Sequence, residues 1–357
     1  MYAHIRPLLF ALGPEEAHLL ASTGARFAQK VIPSLIERMF AFSHPALSVQ
    51  VLGLTFTNPV GLAAGFDKNA RLVPFFRLLG AGFTEVGSVT ARPSRGNSRP
   101  RLFRIPDQEA LINRMGLGNH GAAKIAPRLK RVAHQTAFPV GVNIAKTHSP
   151  GILGDEALED FAETYRRVVD HAGYITLNVS CPNTAEGKTF EDPAALDTLL
   201  QHIDAITAER QREGAAHTPP LLVKLSPPER ERFVLDSLYD EILAVCATHR
   251  VDGFVATNTL PHDKGGLSGP PLATRSNALV RYLHTRTNGS KPIIGVGGID
   301  CAEAAYERLA AGASLVQLYT GLVYHGPGLI ARIKQGLVRL AEAEKYASIS
   351  QVTGSRT

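Results

Sequence analysis

The sequence predicts an α/β fold, a (β/α)8 TIM barrel with a short N-terminal helical extension. Eight short apolar runs recur along the chain, at Pro59–Ala64, Phe83–Ser88, Val140–Ile144, Tyr174–Asn178, Leu221–Leu225, Gly253–Thr257, Ile293–Val296 and Leu315–Leu318. Continuous apolar runs of this length suit strands buried on both faces, as parallel strands are. Between most of them lie stretches patterned as helices, at Glu156–His171, Ala194–Arg212, Arg230–Thr248, Leu272–Arg286 and Ala302–Ala311. Alternating β and α units in that number favour a closed barrel over an open sheet.

Residues 1–45 precede the barrel and read as helical. Pro14 to Leu20 forms one helix, with proline and acids in its first turn. Phe27, Val31, Leu35, Ile36, Met39 and Phe40 are the apolar set of a second, which Pro33 is expected to kink. The extension either packs on the barrel or turns an outer face to lipid. The barrel is expected over 46–340 and a C-terminal tail over 341–357. An insert rich in Arg, Pro and Gly occupies 91–138, and an excursion of that length is more often functional than idle.

Composition narrows the function classes. The chain has 357 residues, 44% hydrophobic and 20% charged, which is ordinary for a globular protein with a large core. Its three cysteines, Cys181, Cys246 and Cys301, lie far apart, so neither a zinc site nor a disulfide framework is suggested and a reducing compartment is expected. The net charge of +6 is compatible with an anionic membrane surface or an anionic substrate. No run of Lys/Arg resembles a nucleic-acid tail. No apolar run is long enough to span a bilayer, and the first residues lack the pattern of a secretory signal. The expected location is therefore the cytoplasmic side of any membrane the protein touches.

Chemistry in a (β/α)8 enzyme gathers at the C-terminal ends of the strands. The ends here carry Ala64-Gly65-Phe66-Asp67-Lys68-Asn69, Gly87-Ser88, Asn143, Asn178 to Thr184, Lys224, Thr257-Asn258-Thr259, Gly295 to Gly298 and Tyr319-Thr320-Gly321. These small, amide, hydroxyl and ammonium groups suit a planar, polar, anionic ligand. No end offers a glycosidase's paired acids or a histidine cluster for a metal. Gly297, Gly298, Thr320 and Gly321 follow the last two strands, where this fold usually binds phosphate on backbone N–H groups. Glycines also mark ordinary turns, and their place in strand order is what raises the signal. Lys224 interrupts an apolar strand and needs an anionic partner or an electron-rich ring; a structural ion pair is the plainer alternative. Asn143, Asn178 and Asn258 would singly be turn or cap residues; together they suggest hydrogen bonds to a heterocycle. Cys246 and Cys301 read as small buried hydrophobes. Cys181, set in Asn-Val-Ser-Cys-Pro-Asn-Thr at a barrel mouth, could serve as a base.

Taken together these segments resemble dihydroorotate dehydrogenase over nearly the whole chain. The motifs are Asn-Pro-Val-Gly-Leu-Ala-Ala-Gly-Phe-Asp-Lys at 58–68, Pro-Arg-Leu-Phe-Arg at 100–104 and Asn-Arg-Met-Gly at 113–116. They continue with Asn-Val-Ser-Cys-Pro-Asn-Thr at 178–184, Gly-Gly-Leu-Ser-Gly at 265–269 and Ile-Gly-Val-Gly-Gly-Ile at 294–299. Pro-Glu-Glu-Ala-His at 14–18 and the leading helices look like the quinone-dependent branch, whose N-terminal extension sits on the membrane.

The resemblance implies the roles. FMN would be held by Ala64, Gly65, Phe66, Asp67, Lys68, Ser88, Asn143, Asn178, Lys224, Thr257, Gly269, Gly298, Tyr319 and Thr320. Dihydroorotate or its product orotate would be held by Lys68, Asn113, Asn178, Asn183, Asn258 and Thr259, with Arg114, Met115, Gly116 and Leu117 as a substrate loop. Cys181 would remove a proton from C5 while a hydride leaves C6. A membrane quinone would enter by His18, Arg104 and Tyr319. No metal is implied. The implied setting is peripheral, on the cytoplasmic face of the cell membrane.

Two departures stand out. The quinone branch usually has serine where this chain has Cys181, and a longer loop than Leu260 to Lys264 after Thr259. The alternatives are a family member with a soluble acceptor, fumarate or NAD, and a barrel lyase or isomerase that binds a sugar phosphate.

Overall fold

The computed structural model describes residues 2–135, 137–180, 189–228 and 237–357. All eight apolar runs are strands of one closed parallel barrel: β1 (Val60–Leu62), β2 (Phe83–Val89), β3 (Val140–Ile144), β4 (Tyr174–Asn178), β5 (Leu221–Leu225), β6 (Gly253–Ala256), β7 (Ile293–Val296) and β8 (Leu315–Leu318). They pair in sequence order, and β8 closes on β1 through Val316↔Val60 and Leu318↔Leu62. The strands are buried almost throughout, which is why the sequence shows apolar runs and not alternation. Glycine lets neighbouring strands share space: a Cβ on Gly61 would come within 2.5 Å of the Phe83 ring.

The helices sheathing the barrel follow the sequence reading. Gly154–Val168 continues as a 3-10 turn to His171, and Pro193–Arg212 starts on Asp192, whose carboxylate accepts from the amides of Ala194 and Ala195. Ala273–Arg286 and Ala302–Ala310 lie where expected, and Ser237–Thr248 ends the stretch whose earlier part, 230–236, lies outside the described residues. Cys246 is buried as expected. Cys301 is not: it is exposed and caps the helix Ala302–Ala310, its sulfur accepting from the Ala304 amide at 3.4 Å.

The N-terminal segment forms three helices, α1 (Tyr2–Ala11), α2 (Pro14–Val31) and α3 (Pro33–Phe40). Sequence patterning missed α1, which contains Pro7 and has no acidic first turn. Tertiary contacts hold it instead. Arg104 donates to the carbonyls of Phe10 and Leu12 at its C-terminal end, and the Tyr2 hydroxyl donates to the Val323 carbonyl at 2.5 Å. Pro33 does not kink one long helix. It starts α3, in the first-turn position where a missing N–H costs nothing.

The insert also has regular structure. Leu102–Ile105 and Ala110–Asn113 form an antiparallel pair. A hairpin following β6, Leu260–His262 with Gly265–Ser268, adds to it through Leu267↔Ile112. The resulting four-stranded sheet covers one side of the barrel mouth. Residues near the C-terminus pack on the barrel, with Ile349 and Val352 buried and the Gly354 amide donating to the Leu309 carbonyl.

Inside the barrel the Glu85 carboxylate on β2 is fully buried. It accepts from Asn143 of β3 at 2.9 Å, Tyr174 and Thr176 of β4 at 3.2 and 3.3 Å, and Gln317 of β8 at 2.9 Å. Burial and the adjacent carboxylate push the Tyr174 phenol well above its usual pKa, so it donates. Glu85→Leu would orphan four buried donors, each costing about 1–3 kcal/mol. It should lower unfolding stability by about 3 kcal/mol or more, read from the urea midpoint. A loss below about 1 kcal/mol would mean that water or relaxation satisfies those donors.

Candidate active site

A cavity opens at the C-terminal ends of the strands. The barrel contributes Ala64, Gly65, Lys68, Ser88, Asn178, Lys224, Thr257, Asn258, Thr259, Gly298, Tyr319 and Thr320 to its wall. The covering sheet and its turns bring in Asn113, Met115, Gly116, Leu117 and Gly269. These are most of the residues singled out in the sequence. Four others point elsewhere. Phe66 and Asp67 line a neighbouring chamber, where the Asp67 carboxylate accepts from the amides of Asn69, Arg71 and Leu72 and so shapes the loop after β1. Asn143 is buried beneath the cavity between Ser88 and Glu85, and Arg114 turns outward to the Pro100 carbonyl. Cys181 and Asn183 lie outside the described residues.

The amides form one directed chain. A carboxylate only accepts, so Glu85 takes the Nδ2 of Asn143. Asn143 Oδ1 must then accept, and the Ser88 hydroxyl donates to it at 2.5 Å. Ser88 Oγ accepts from Asn178 Nδ2 at 3.0 Å, and Asn178 Oδ1 accepts from Asn258 Nδ2 at 3.1 Å. Asn258 Oδ1 takes the Thr259 amide at 2.9 Å. Two buried oxygens of lining residues, Gln317 Oε1 and Thr259 Oγ1, have no partner among the described residues.

Lys68 and Lys224 are the two lysines of the cavity wall. The Lys68 ammonium donates to the Gly65 carbonyl at 2.5 Å, and burial, reinforced by Arg101, brings its pKa down to about 8. It remains largely charged at neutral pH, and an anion beside it would raise the value again.

The turn after β7 closes the opposite side. Gly297 and Gly298 have φ of +104° and +70°, and Gly269 has +106°, conformations that L side chains avoid. A Cβ on Gly298 would press to within 2.5 Å of Ala273. Among the described residues neither the Gly297 nor the Gly298 N–H donates to a backbone carbonyl. Free amides in a glycine cradle after the last strands, with Thr320 beside them, fit a phosphate. The polar wall of amides, hydroxyls and lysines fits the planar head of a flavin.

A second, apolar chamber lies between the N-terminal helices and the barrel, lined by Phe10, His18, Phe66, Arg104 and Tyr319 among others. Its charge is muted. Arg104 is spent on the end of α1 and sits 4.5 Å from the Phe10 ring centre. Burial, then Lys68, lowers His18 to a pKa of about 4. The His18 and Tyr319 rings both stand against Phe66, at 5.1 and 5.3 Å between centres. Tyr319 lines both this chamber and the polar cavity.

A closed parallel barrel with a phosphate cradle, lysines and a ring of amides at its mouth is the frame of a (β/α)8 enzyme that binds a planar, phosphate-bearing cofactor. Comparison with known proteins gives the family: a profile described as dihydroorotate dehydrogenase matches residues 46–340. A dihydroorotate dehydrogenase (quinone) of Roseiflexus castenholzii is 40% identical over 366 residues, covering 99% of this chain and 96% of that protein. One of Haloarcula marismortui is 43% identical over 371 residues, covering 99% of each. The crystal structure of DHODH from Eimeria tenella in complex with ferulenol superposes with a TM-score of 0.80 at 32% identity, covering 92% of this chain and 94% of that one. This chain belongs to the dihydroorotate dehydrogenase family.

The depressed value of His18 gives a direct test. Its imidazole should stay neutral down to about pH 5 and titrate near 4 in an NMR pH series. A midpoint near the ordinary value of about 6.5 would show that water reaches the ring.

Proposed function

We propose that this protein oxidises dihydroorotate to orotate in de novo pyrimidine biosynthesis, with FMN as its flavin and a membrane quinone as final acceptor. The observation that carries this reading is Tyr319, one wall shared by a polar cavity and an apolar chamber. A polar donor and an apolar acceptor can each approach the same flavin from its own side. The quinone enzymes among the relatives support it.

When bound, FMN would supply the acceptor for a hydride from C6 and the route for its electrons to the quinone. Gly269, Gly298 and Thr320 would hold its phosphate, and Ala64, Gly65, Ser88, Thr257 and Lys224 its ring and chain. Lys68 would pair with the substrate carboxylate, and Asn113, Asn178, Asn258 and Thr259 would read the pyrimidine edges. Met115, Gly116 and Leu117 would close over the substrate and exclude water. Cys181 would take the C5 proton: a thiol with a reference pKa of about 8.5 has an appreciable thiolate fraction near neutral pH.

The outer face of the N-terminal helices suits a bilayer surface. Of twelve exposed large hydrophobics among the described residues, ten fall between Ile5 and Met39, including Leu8, Leu19 and Phe27. No helix among the described residues is long and apolar enough to cross a membrane, so contact would be peripheral, on the cytoplasmic face.

Anaerobic mixing with dihydroorotate should bleach the flavin absorbance of the purified protein. Cys181→Ala should lose most of that rate while still binding orotate. A parent-like rate in Cys181→Ala would assign the proton to another group, and no bleaching of the parent would remove the substrate.

Deleting residues 1–45 should abolish turnover with quinone and leave flavin reduction by dihydroorotate intact. Unchanged quinone turnover would point to a soluble acceptor, the reading that Cys181 and the short hairpin after Thr259 favour.

A further inference from the structure

Arg308, on the helix Ala302–Ala310, is 1% exposed, and no carboxylate lies within ion-pair distance of it among the described residues. All of its donors are used on neutral acceptors. Nε donates to Asn277 Oδ1, Nη1 to Ser276 Oγ at 2.7 Å and the Val296 carbonyl at 3.0 Å, and Nη2 to the carbonyls of Ala273 at 3.3 Å and Gly297 at 2.8 Å. Gly295 makes room for its stem, since a Cβ there would overlap the Arg308 side chain. A buried cation with no carboxylate is costly, and burial lowers its pKa to about 9. Glu307 offsets that burial in part, but from beyond ion-pair distance, so most of the charge is left to be balanced by something else.

The geometry says where that charge sits. The Val296–Gly297 and Gly297–Gly298 peptides are trans, so each N–H points away from its C=O. Arg308 holds both carbonyls from behind the turn. The Gly297 and Gly298 N–H groups are thereby turned toward the cavity that both glycines line. A cation on the carbonyls also polarises those peptides and strengthens their N–H groups as donors.

We propose that Arg308 is a positioning residue for the cofactor phosphate: from behind the Gly297–Gly298 turn it aims and polarises the amides that bind the phosphate, and the phosphate dianion balances its buried charge. The inference rests on the FMN reading, and the test separates the two. Flavin is stripped from the full-length protein, and dissociation constants for FMN and for riboflavin, which lacks the phosphate, are read from flavin fluorescence. Arg308→Lys keeps a charge but not the five-donor fork. It should weaken FMN by about tenfold or more and change riboflavin by less than about threefold. Asn277→Ala releases only Nε, at a partly exposed neighbour, and should weaken FMN selectively by about threefold. Parent-like FMN affinity in Arg308→Lys, or equal losses for both flavins in either variant, would overturn the proposal. If Arg308→Lys does not fold, Asn277→Ala decides by the same comparison. A parent that binds neither flavin would bring down the FMN reading itself, and this inference with it.

Discussion

The arrangement of the site depends on a buried acceptor, the carboxylate of Glu85. It lies inside the barrel with no ion-pair partner among the described residues and is satisfied by four neutral donors from β3, β4 and β8. Because a carboxylate cannot donate, it sets the direction of the bonds through Asn143, Ser88 and Asn178, and Asn258 is fixed in the same sense by the Ser180 carbonyl and the Thr259 amide. Asn143, Ser88, Asn178 and Asn258 each have one orientation consistent with that start. An amide that could flip would present oxygen or nitrogen to a ligand with little preference. Anchored in this way, Asn178 and Asn258 present a fixed face to the cavity. Asn143 therefore contributes without touching the cavity, by transmitting direction from the barrel interior to its mouth.

The cavity joins two kinds of structure. Its floor and phosphate side are strand ends and the turns that leave them, held by the barrel's own hydrogen bonding. Its cover is the four-stranded sheet made from the insert and the hairpin after β6. The register Leu267↔Ile112 sets Asn113 and the loop to Leu117 opposite Asn258 and Thr259. The short hairpin after Thr259 is thus the strand partner that holds the insert over the mouth. On the far side, glycines at positive φ bring backbone amides where side chains would stand, and Arg308 fixes the peptides that carry them.

Much of this was legible in the sequence because a parallel barrel writes itself as apolar runs. Every run at 59–64, 83–88, 140–144, 174–178, 221–225, 253–257, 293–296 and 315–318 coincides with a barrel strand to within two residues at either end, and most of the polar residues just beyond them line the cavity. Helix α1 was not legible, because its stability comes from Arg104 and Tyr2 reaching across the chain and not from local patterning. The strands of the insert were hidden by its Arg, Pro and Gly content. Phe66, Asp67 and Arg114 sit in or beside informative motifs, but side-chain direction within a loop is a tertiary property, and Asn143 lies one layer inside the barrel on β3. Arg308 carried no signal except Gly295, a glycine whose space is filled by an arginine thirteen residues later.

The N-terminal helices make sense as a second solvent environment placed beside the first. The polar cavity is ringed by amides and a lysine held at a pKa of about 8 by burial. The chamber behind it is walled by Phe10, Phe66 and Tyr319, and its one imidazole is kept neutral by the same desolvation. A charged His18 would draw water into that chamber, and an unclamped Arg104 would do the same. Arg104 is instead fastened to the carbonyl end of α1, so one set of bonds both holds the lid and removes a free charge from the apolar space. Lys68 lowers the His18 pKa further, so the cation that suits the polar cavity helps keep the neighbouring chamber uncharged. Tyr319 sits at the boundary, its phenol pushed up to about 12 by burial and so protonated on both sides. The two compartments can therefore meet at one residue without either importing the other's charge.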